Sequence, residues 1–196
     1  MSKNNFNLLK ALLKLPATVF SFKEVLLLSK GTDPVLLKSQ LHYYVKTGQL
    51  YSVRRGLYAK NDQYNRFEVA TKIYIPSYIS FETVLSRSGI IFQYYNQIFV
   101  ATYTSKTVIC DEQTYTFKTI KDTVLTENKG IITEGGYSIA STERAFLDIL
   151  YLHQDYQFDN LKPLDWDRVY ELVLLYDNKR MAKKVNNYYK KVNECL

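Results

Sequence analysis

Seven polar side chains between positions 38 and 55 have the clearest potential for chemistry in this sequence. Ammonium, guanidinium, hydroxyl and imidazole groups donate hydrogen bonds to phosphate oxygens and to the edges of bases. Such groups act together only if one local structure presents them on one surface. The seven residues are Lys38, Ser39, His42, Tyr43, Lys46, Arg54 and Arg55.

A helix that begins after Asp33-Pro34 and ends at Thr47-Gly48 would carry the first five of these residues. Asp is a favoured N-cap and Pro is favoured in the first turn. At 100° per residue, the apolar stripe of Leu37, Leu41, Tyr44 and Val45 would face inward. Val35, Ser39, His42, Tyr43 and Lys46 would then face outward, with Lys38 at the margin, as on a helix that enters a major groove.

The neighbouring segments predict a winged helix-turn-helix. Helical spacing covers Asn5 to Leu15, and the capping box Ser21-Phe22-Lys23-Glu24 opens a second helix that ends at Lys30-Gly31. After the third helix, residues 49–53 and 57–60 predict a β-hairpin with Arg54-Arg55-Gly56 at its tip. Winged helices also serve as protein-docking modules, so this pattern leaves DNA binding and protein binding open.

The charge is unevenly distributed along the chain. Residues 1–60 contain ten Lys and Arg against Glu24 and Asp33, whereas the net charge of +7 for the whole chain requires an acidic middle segment. A second basic segment follows in the last 20 residues, where Arg180, Lys184 and Lys191 flank an apolar stripe. This C-terminal surface is interpreted as a phosphate contact, a docking surface for an acidic partner or a solvated face.

The rest of the chain predicts a mixed domain, so the fold class is α+β. A polar step at residues 61–63 divides a winged helix-turn-helix domain, 1–62, from an α+β domain, 63–196, that ends in helices. No Gly/Ser-rich linker separates the two, so we expect them to pack closely. Ser80 is expected to cap a helix that ends at Gly89, and Ser141 another in which Glu143 and Arg144 are surface charges. Other expectations are strands at 97–104, 107–110, 114–120 and 130–133, helices at 66–74 and 178–194, and a helix capped by Asp165 with Leu174 facing inward.

The residue inventory argues against an enzyme. The chain has two His, two Cys and seven Gly, and it contains no GxSxG, Walker-type loop or GxGxxG. Asp165-Trp166-Asp167 has the spacing of a helix cap with a first-turn acid, and Cys110 is expected to be buried in a strand. A nuclease would need clustered carboxylates for a metal, and the sequence suggests none. Neither a bilayer-spanning apolar stretch nor a disulfide pattern is present in the sequence, which predicts a cytoplasmic protein.

Three segments resemble the AbiEi-type antitoxins of the abortive-infection, type IV toxin–antitoxin systems. Val53-Arg54-Arg55-Gly56-Leu57-Tyr58 is similar to the basic hairpin of that family. Residues 74–85, YIPSYISFETVL, resemble the helix that follows the wing, and residues 139–148, IASTERAFLD, resemble a segment with the pattern Ala-Ser-x-Glu-Arg-Ala-Leu-x-Asp. Ser88-Gly89 stands where the family often has His-Gly, and residues 160–196 match no family pattern.

The resemblance implies a non-enzymatic protein without a cofactor. Its winged helix would bind inverted repeats of double-stranded DNA in its own promoter and repress its own operon. Its second domain would counteract a nucleotidyltransferase-like toxin without forming a stable complex with it. The alternative is a winged-helix protein-interaction module without sequence-specific DNA binding.

Overall fold

The computed structural model of the chain describes residues 7–153 and 156–194, which form a mixed α+β structure. These residues contain nine α-helices and nine strands in two sheets. The helices are α1 (Leu8–Lys14), α2 (Phe22–Leu28), α3 (Pro34–Lys46), α4 (Arg66–Ile73), α5 (Glu82–Arg87), α6 (Asp122–Leu125), α7 (Thr142–Leu152), α8 (Trp166–Val173) and α9 (Lys179–Glu194). The strands are β1 (Val19–Ser21), β2 (Tyr51–Arg54), β3 (Leu57–Ala59), β4 (Ser77–Ile79), β5 (Gln97–Thr102), β6 (Lys106–Cys110), β7 (Gln113–Thr119), β8 (Ile131–Glu134) and β9 (Tyr137–Ala140).

The two sheets divide the strands by position in the chain. The first three strands form an antiparallel sheet in the order β1-β3-β2. The other six form a mixed sheet in the order β6-β7-β5-β4-β9-β8, with parallel pairing of β5 with β7 and of β4 with β9. In the part of the chain that is described, no helix has the length and apolar character needed to cross a bilayer.

The local signals at the N-terminal helices are confirmed. The Ser21 hydroxyl accepts from the backbone N–H of Glu24 at 3.2 Å, and the Glu24 carboxylate accepts from the Ser21 N–H at 2.7 Å. Asp33 caps α3, as expected from its sequence position. Helix α1 begins at Leu8 after the N-cap Asn7, and the predicted start at Asn5 lies outside the described residues together with Phe6. Short-range capping decides where α2 and α3 begin, so the sequence suffices to place these two starts.

Strand β1 is an addition that the sequence did not predict. It is only three residues long, and it pairs with β3 so that Val19 lies opposite Ala59. A strand of this length has too few residues to show an alternating pattern. Its pairing depends on the approach of β3, which lies almost 40 residues further along the chain.

The prediction that Ser80 caps α5 is wrong. The N-cap residue is Phe81, which has φ of +56° and no capping side chain. The Ser80 hydroxyl instead donates a 2.6 Å hydrogen bond to Oδ2 of Asp148, and the residues just before it form β4. A tertiary partner therefore takes the hydroxyl that local spacing had assigned to the helix terminus.

The assignment of Glu143 and Arg144 to the surface is also wrong, although Ser141 does cap α7. Arg144 is completely buried and donates to the carbonyls of Val124 at 2.6 Å and Lys129 at 2.7 Å. Its Nε lies 3.4 Å from Oδ1 of Asp148, one helical turn further along α7. Buried charges are tolerated when they are paired and hydrogen-bonded, and these contacts explain how the Arg144 guanidinium is accommodated inside the protein.

Asp148 connects that pair to the rest of the core. Besides Ser80, its carboxylate accepts from the hydroxyl of Tyr176 at 2.6 Å and from that of Tyr78 at 3.2 Å. Burial raises the pKa of the Asp148 carboxyl, and the Arg144 guanidinium acts in the opposite direction. One carboxylate thereby joins α7, β4 and the 3₁₀ turn Leu174–Tyr176.

The prediction that Leu174 faces inward is wrong as well. Leu174 is 76% exposed, whereas Leu172 is buried. Helix α8 ends at Val173, and the chain continues as the 3₁₀ turn up to Asp177, which has φ of +43°. The tighter turn changes the angle between successive side chains, so the α-helical stripe does not extend to Leu174.

The larger hydrophobic core contains residues from both predicted domains. Val19, Val53, Leu57 and Ala59 belong to the same buried cluster as the residues of the six-stranded sheet. Glu68, on α4, is buried and accepts from the backbone N–H groups of Thr18 and Val19 at 2.8 to 3.0 Å. The expectation that the two halves pack closely is confirmed.

We expect the substitution Asp148→Ala to destabilise the fold by about 3–5 kcal/mol, because it leaves a buried guanidinium without its carboxylate. Equilibrium urea denaturation followed by circular dichroism measures this change. Glu171→Ala is the matched control, since that carboxylate forms an exposed pair with Lys129 at 3.9 Å and should contribute less than about 1 kcal/mol. Equal effects of the two variants would contradict the importance of the buried pair.

Candidate nucleic-acid interface

Helix α3 is fixed by its N-terminal cap and by its buried face. Oδ1 of Asp33 accepts from the backbone N–H groups of Val35 at 2.8 Å and Leu36 at 3.1 Å. Leu37 and Leu41 are completely buried in a small core that lies between α1, α2 and α3. Tyr44 and Val45 pack against the edge of this core, so the predicted inward stripe is confirmed.

The opposite face of α3 is open to solvent over its whole length. All six side chains assigned to it or to its margin are exposed: Val35, Lys38, Ser39, His42, Tyr43 and Lys46. Tyr43 is the most exposed ring here, at 58%. The Ser39 hydroxyl donates to the carbonyl of Val35 at 3.1 Å, and the Lys38 ammonium lies 5.5 Å from the centre of the Phe22 ring. These are weak, local contacts that a ligand could replace.

The hairpin of β2 and β3 carries two guanidinium groups at its tip. Arg54 ends β2, Arg55 occupies the turn with Gly56, and both arginines are exposed. Gly56 has φ of +80°, a conformation that a residue with a side chain rarely adopts. Its carbonyl accepts from the N–H of Phe22 at 2.8 Å, which ties the turn to the start of α2.

The candidate interface is defined here as Lys38, Ser39, His42, Tyr43, Lys46, Arg54 and Arg55. Within residues 7–153 and 156–194, no carboxylate lies within 4.0 Å of its four cationic groups. The structure therefore leaves these cations available to an anionic ligand. The hydroxyl, imidazole and phenol groups on the α3 face match the chemistry of base edges, and the four cations match that of phosphates.

A cluster of tyrosines holds the hairpin against the larger sheet. The hydroxyls of Tyr51 and Tyr64 donate to the carboxylate of Asp111 at 3.0 and 2.7 Å, and their rings stack with centres 6.0 Å apart. The Cys110 thiol donates to the carbonyl of Val53 at 3.2 Å, and its burial in a strand confirms that expectation. Burial also raises the pKa of this thiol, which disfavours the reactive thiolate. Sequence reasoning missed this support, because the bonded residues are 47 to 60 positions apart in the chain.

The second basic surface lies on α9. Met181 and Val185 are buried, as predicted, while Arg180 and Lys191 are exposed and Lys184 is half-buried. The helix packs through aromatic contacts, with Tyr189 5.3 Å from Trp166 between ring centres. Its outer face is cationic, in keeping with the sequence pattern.

Asp165, Asp167 and His153 are the residues whose types could suggest catalysis, and all three lie at helix ends. Oδ1 of Asp165 accepts from the N–H groups of Asp167 and Arg168, so the predicted helix cap is confirmed. His153 is exposed at the end of α7. Among the residues described, no three His, Cys, Asp or Glu side chains come together as a group that could hold a metal ion.

No protein-family model and no curated protein sequence matches this chain. The resemblance to AbiEi-type antitoxins therefore rests on the three segments at residues 53–58, 74–85 and 139–148.

Truncation of the buried and exposed leucines of α3 should have different consequences. Leu37→Ala should lower the free energy of unfolding by about 2–5 kcal/mol, because it opens a cavity in the small core. Leu36→Ala removes a side chain that is 66% exposed and should change it by less than about 0.5 kcal/mol. Urea titrations of both variants test the orientation of the helix, and comparable losses would mean that α3 is rotated from this position.

Proposed function

We propose that residues 1–62 form a winged helix-turn-helix domain that binds double-stranded DNA. In this proposal α2 and α3 are the helix-turn-helix, with α3 as the recognition helix, and the β2–β3 hairpin is the wing. The order of these elements and the third helix upstream support this interpretation. The second part of the chain, from residue 63, would then be an α+β antitoxin domain.

The observation that carries the proposal is the exposed, carboxylate-free candidate interface. Its helix face can enter a major groove, and Arg54 and Arg55 can contact the phosphates beside that groove. The net charge of the first 60 residues adds a long-range attraction to any polyanion. Specificity would come from Ser39, His42 and Tyr43, whose side chains can reach base edges.

We propose further that the protein is an antitoxin of the AbiEi type. It would repress its own operon through inverted repeats in the promoter and counteract a nucleotidyltransferase-like toxin encoded beside it. The three sequence segments support this role. Co-expression with the product of the neighbouring gene tests the toxin-related part, with growth rescue as the readout and a pull-down to detect any stable complex.

Surface variants of the full chain are better suited to these tests than deletions. Removal of residues 1–62 would expose Val69 and the other residues that share a core with β1 and β3. A loss of function by such a deletion would then report misfolding as readily as loss of DNA binding.

A second candidate function is protein docking through the same domain. Three large apolar side chains are strongly exposed there: Leu27 at 73%, Val35 at 69% and Leu36 at 66%. Exposed apolar side chains suit a protein partner better than a phosphate backbone. The double variant Leu27→Ser with Leu36→Ser should leave DNA affinity intact if DNA is the ligand of α3.

The central experiment compares two duplexes, one from the region upstream of this gene and one of shuffled sequence. Fluorescence anisotropy should show tighter binding to the upstream duplex. His42→Ala should weaken that binding by about 1–3 kcal/mol and leave the shuffled duplex nearly unaffected. Gln40→Ala is the matched control, because Gln40 lies on the same helix but outside the candidate interface. Its amide donates to the Tyr44 hydroxyl at 2.8 Å. Equal affinity for both duplexes would contradict sequence-specific repression.

Arg55→Ala should weaken binding to both duplexes alike, because a phosphate contact carries no sequence information. The slope of log K against log salt should fall by about one in magnitude. Arg168→Ala, an exposed arginine on α8, removes the same charge away from the interface and should leave the slope unchanged. A wild-type slope for Arg55→Ala would show that the hairpin does not contact the DNA backbone.

A further inference from the structure

Two aromatic rings outside the candidate interface are unusually exposed. Tyr94 is 87% and Phe92 73% exposed, more than any other Phe, Tyr or Trp in the described part of the chain. They belong to the connection between α5 and β5. The neighbouring Tyr95 packs edge-on against Phe99, with ring centres 5.4 Å apart, so this connection is anchored and yet presents two rings to solvent.

A groove of about 510 Å³ lies between the segment 156–162 and the C-terminal half of α9. Its lining combines rings and cations, including Tyr156, Phe158, Lys162, Tyr188 and Lys191. Lys191 lies 5.9 Å from the centre of the Tyr188 ring, and the Tyr188 hydroxyl donates to the carbonyl of Tyr156 at 2.6 Å. The groove walls are therefore fixed relative to each other.

Hydrogen bonds join the exposed rings to this groove. The backbone N–H of Phe92 donates to Oδ2 of Asp159 at 2.7 Å, and Asp159 lines the groove. The N–H groups of Asp159 and Asn160 in turn donate to the carbonyl of Ile90 at 3.0 and 3.1 Å. The rings of Phe92 and Tyr94 are thus carried by a segment attached to the groove wall.

The charge of the region is positive. Arg180, Lys183, Lys190 and Lys191 are exposed along α9, and Lys162 is exposed on the opposite wall. Within the described residues, none of these five cations has a carboxylate within 4.0 Å. The Asp159 carboxylate is engaged by the Phe92 N–H. We name Phe92, Tyr94, Tyr156, Lys162 and Lys191 the aromatic–basic surface.

We propose that the aromatic–basic surface binds single-stranded nucleic acid, with bases stacked on Phe92 and Tyr94 and phosphates held by Lys162 and Lys191. Single strands expose the faces of their bases, whereas a duplex hides them, so exposed rings beside cations suit a single strand. An acidic peptide would satisfy the cations but would leave both rings without a planar partner. This surface shares no residue with the proposed duplex interface.

The test uses the full-length protein and fluorescein-labelled 15-mers of oligodeoxythymidylate and oligouridylate, with anisotropy as the readout. Phe92→Ala with Tyr94→Ala should weaken binding at least about tenfold, given the stacking energy typical of each base. Lys162→Gln with Lys191→Gln should lower the salt slope by about 0.7 for each phosphate that is no longer neutralised. Neither double variant should change affinity for duplex DNA.

Control variants distinguish specific stacking on Phe92 and Tyr94 from a general loss of exposed apolar side chains and from binding at the candidate interface. Tyr103→Ala and Ile109→Ala remove exposed apolar side chains elsewhere, at 49% and 73% exposure, and should bind the oligonucleotides like the wild type. Arg54→Ala with Arg55→Ala should also retain this binding while losing duplex affinity. All substituted side chains are exposed, and circular dichroism verifies that each variant is folded.

Three results would overturn the proposal. The first is that the wild-type protein binds neither 15-mer at low salt, and the second is that the Phe92→Ala, Tyr94→Ala variant binds with wild-type affinity. The third is that poly-glutamate competes as strongly as unlabelled oligothymidylate. The last result would identify the surface as a site for acidic proteins. A loss of duplex binding alone would disprove only the proposed operator function.

Discussion

The buried pair of Arg144 and Asp148 is the constraint on which the second part of this protein depends. A guanidinium inside a core is stable only if its donors are satisfied, and here they reach Asp148, Tyr78 and three backbone carbonyls. Those partners belong to different elements, so each must be correctly placed before the charge is accommodated. The pair therefore favours one arrangement of α7, β4 and the loops beside them over looser alternatives.

A second buried carboxylate has the same effect at the junction between the two parts of the chain. Glu68 accepts from the backbone of Thr18 and Val19, next to the strand that completes the N-terminal sheet. With the shared hydrophobic core and the bonds from Tyr51 and Tyr64 to Asp111, it fixes the hairpin relative to the larger sheet. The backbone that carries Arg54 and Arg55 is therefore fixed before a ligand binds. Less conformational entropy of the protein is then lost on binding.

The two proposed surfaces use the same residue classes in different ways. On α3 the polar groups and two of the cations lie on a convex helix face, which can follow a groove. On the aromatic–basic surface, Phe92 and Tyr94 project next to a concave groove lined by Lys162 and Lys191. Sequence reasoning found the first surface through helical periodicity. For the second it named only the cationic face of α9 with Lys191, and it missed the exposed rings, because residues 92–94 and 156–191 are brought together only by the fold.

The sequence by itself determined the features that depend on neighbours within a few residues. Caps at Ser21, Asp33, Ser141 and Asp165, the hairpin turn at Gly56 and the exposed face of α3 all follow from local hydrogen bonding and periodicity. Only the tertiary structure decided which polar residues are inside. Arg144 and Ser80 occur in patterns typical of a helix start, yet their partners are up to about 70 residues away, and burial strengthens such contacts enough to override the local alternative.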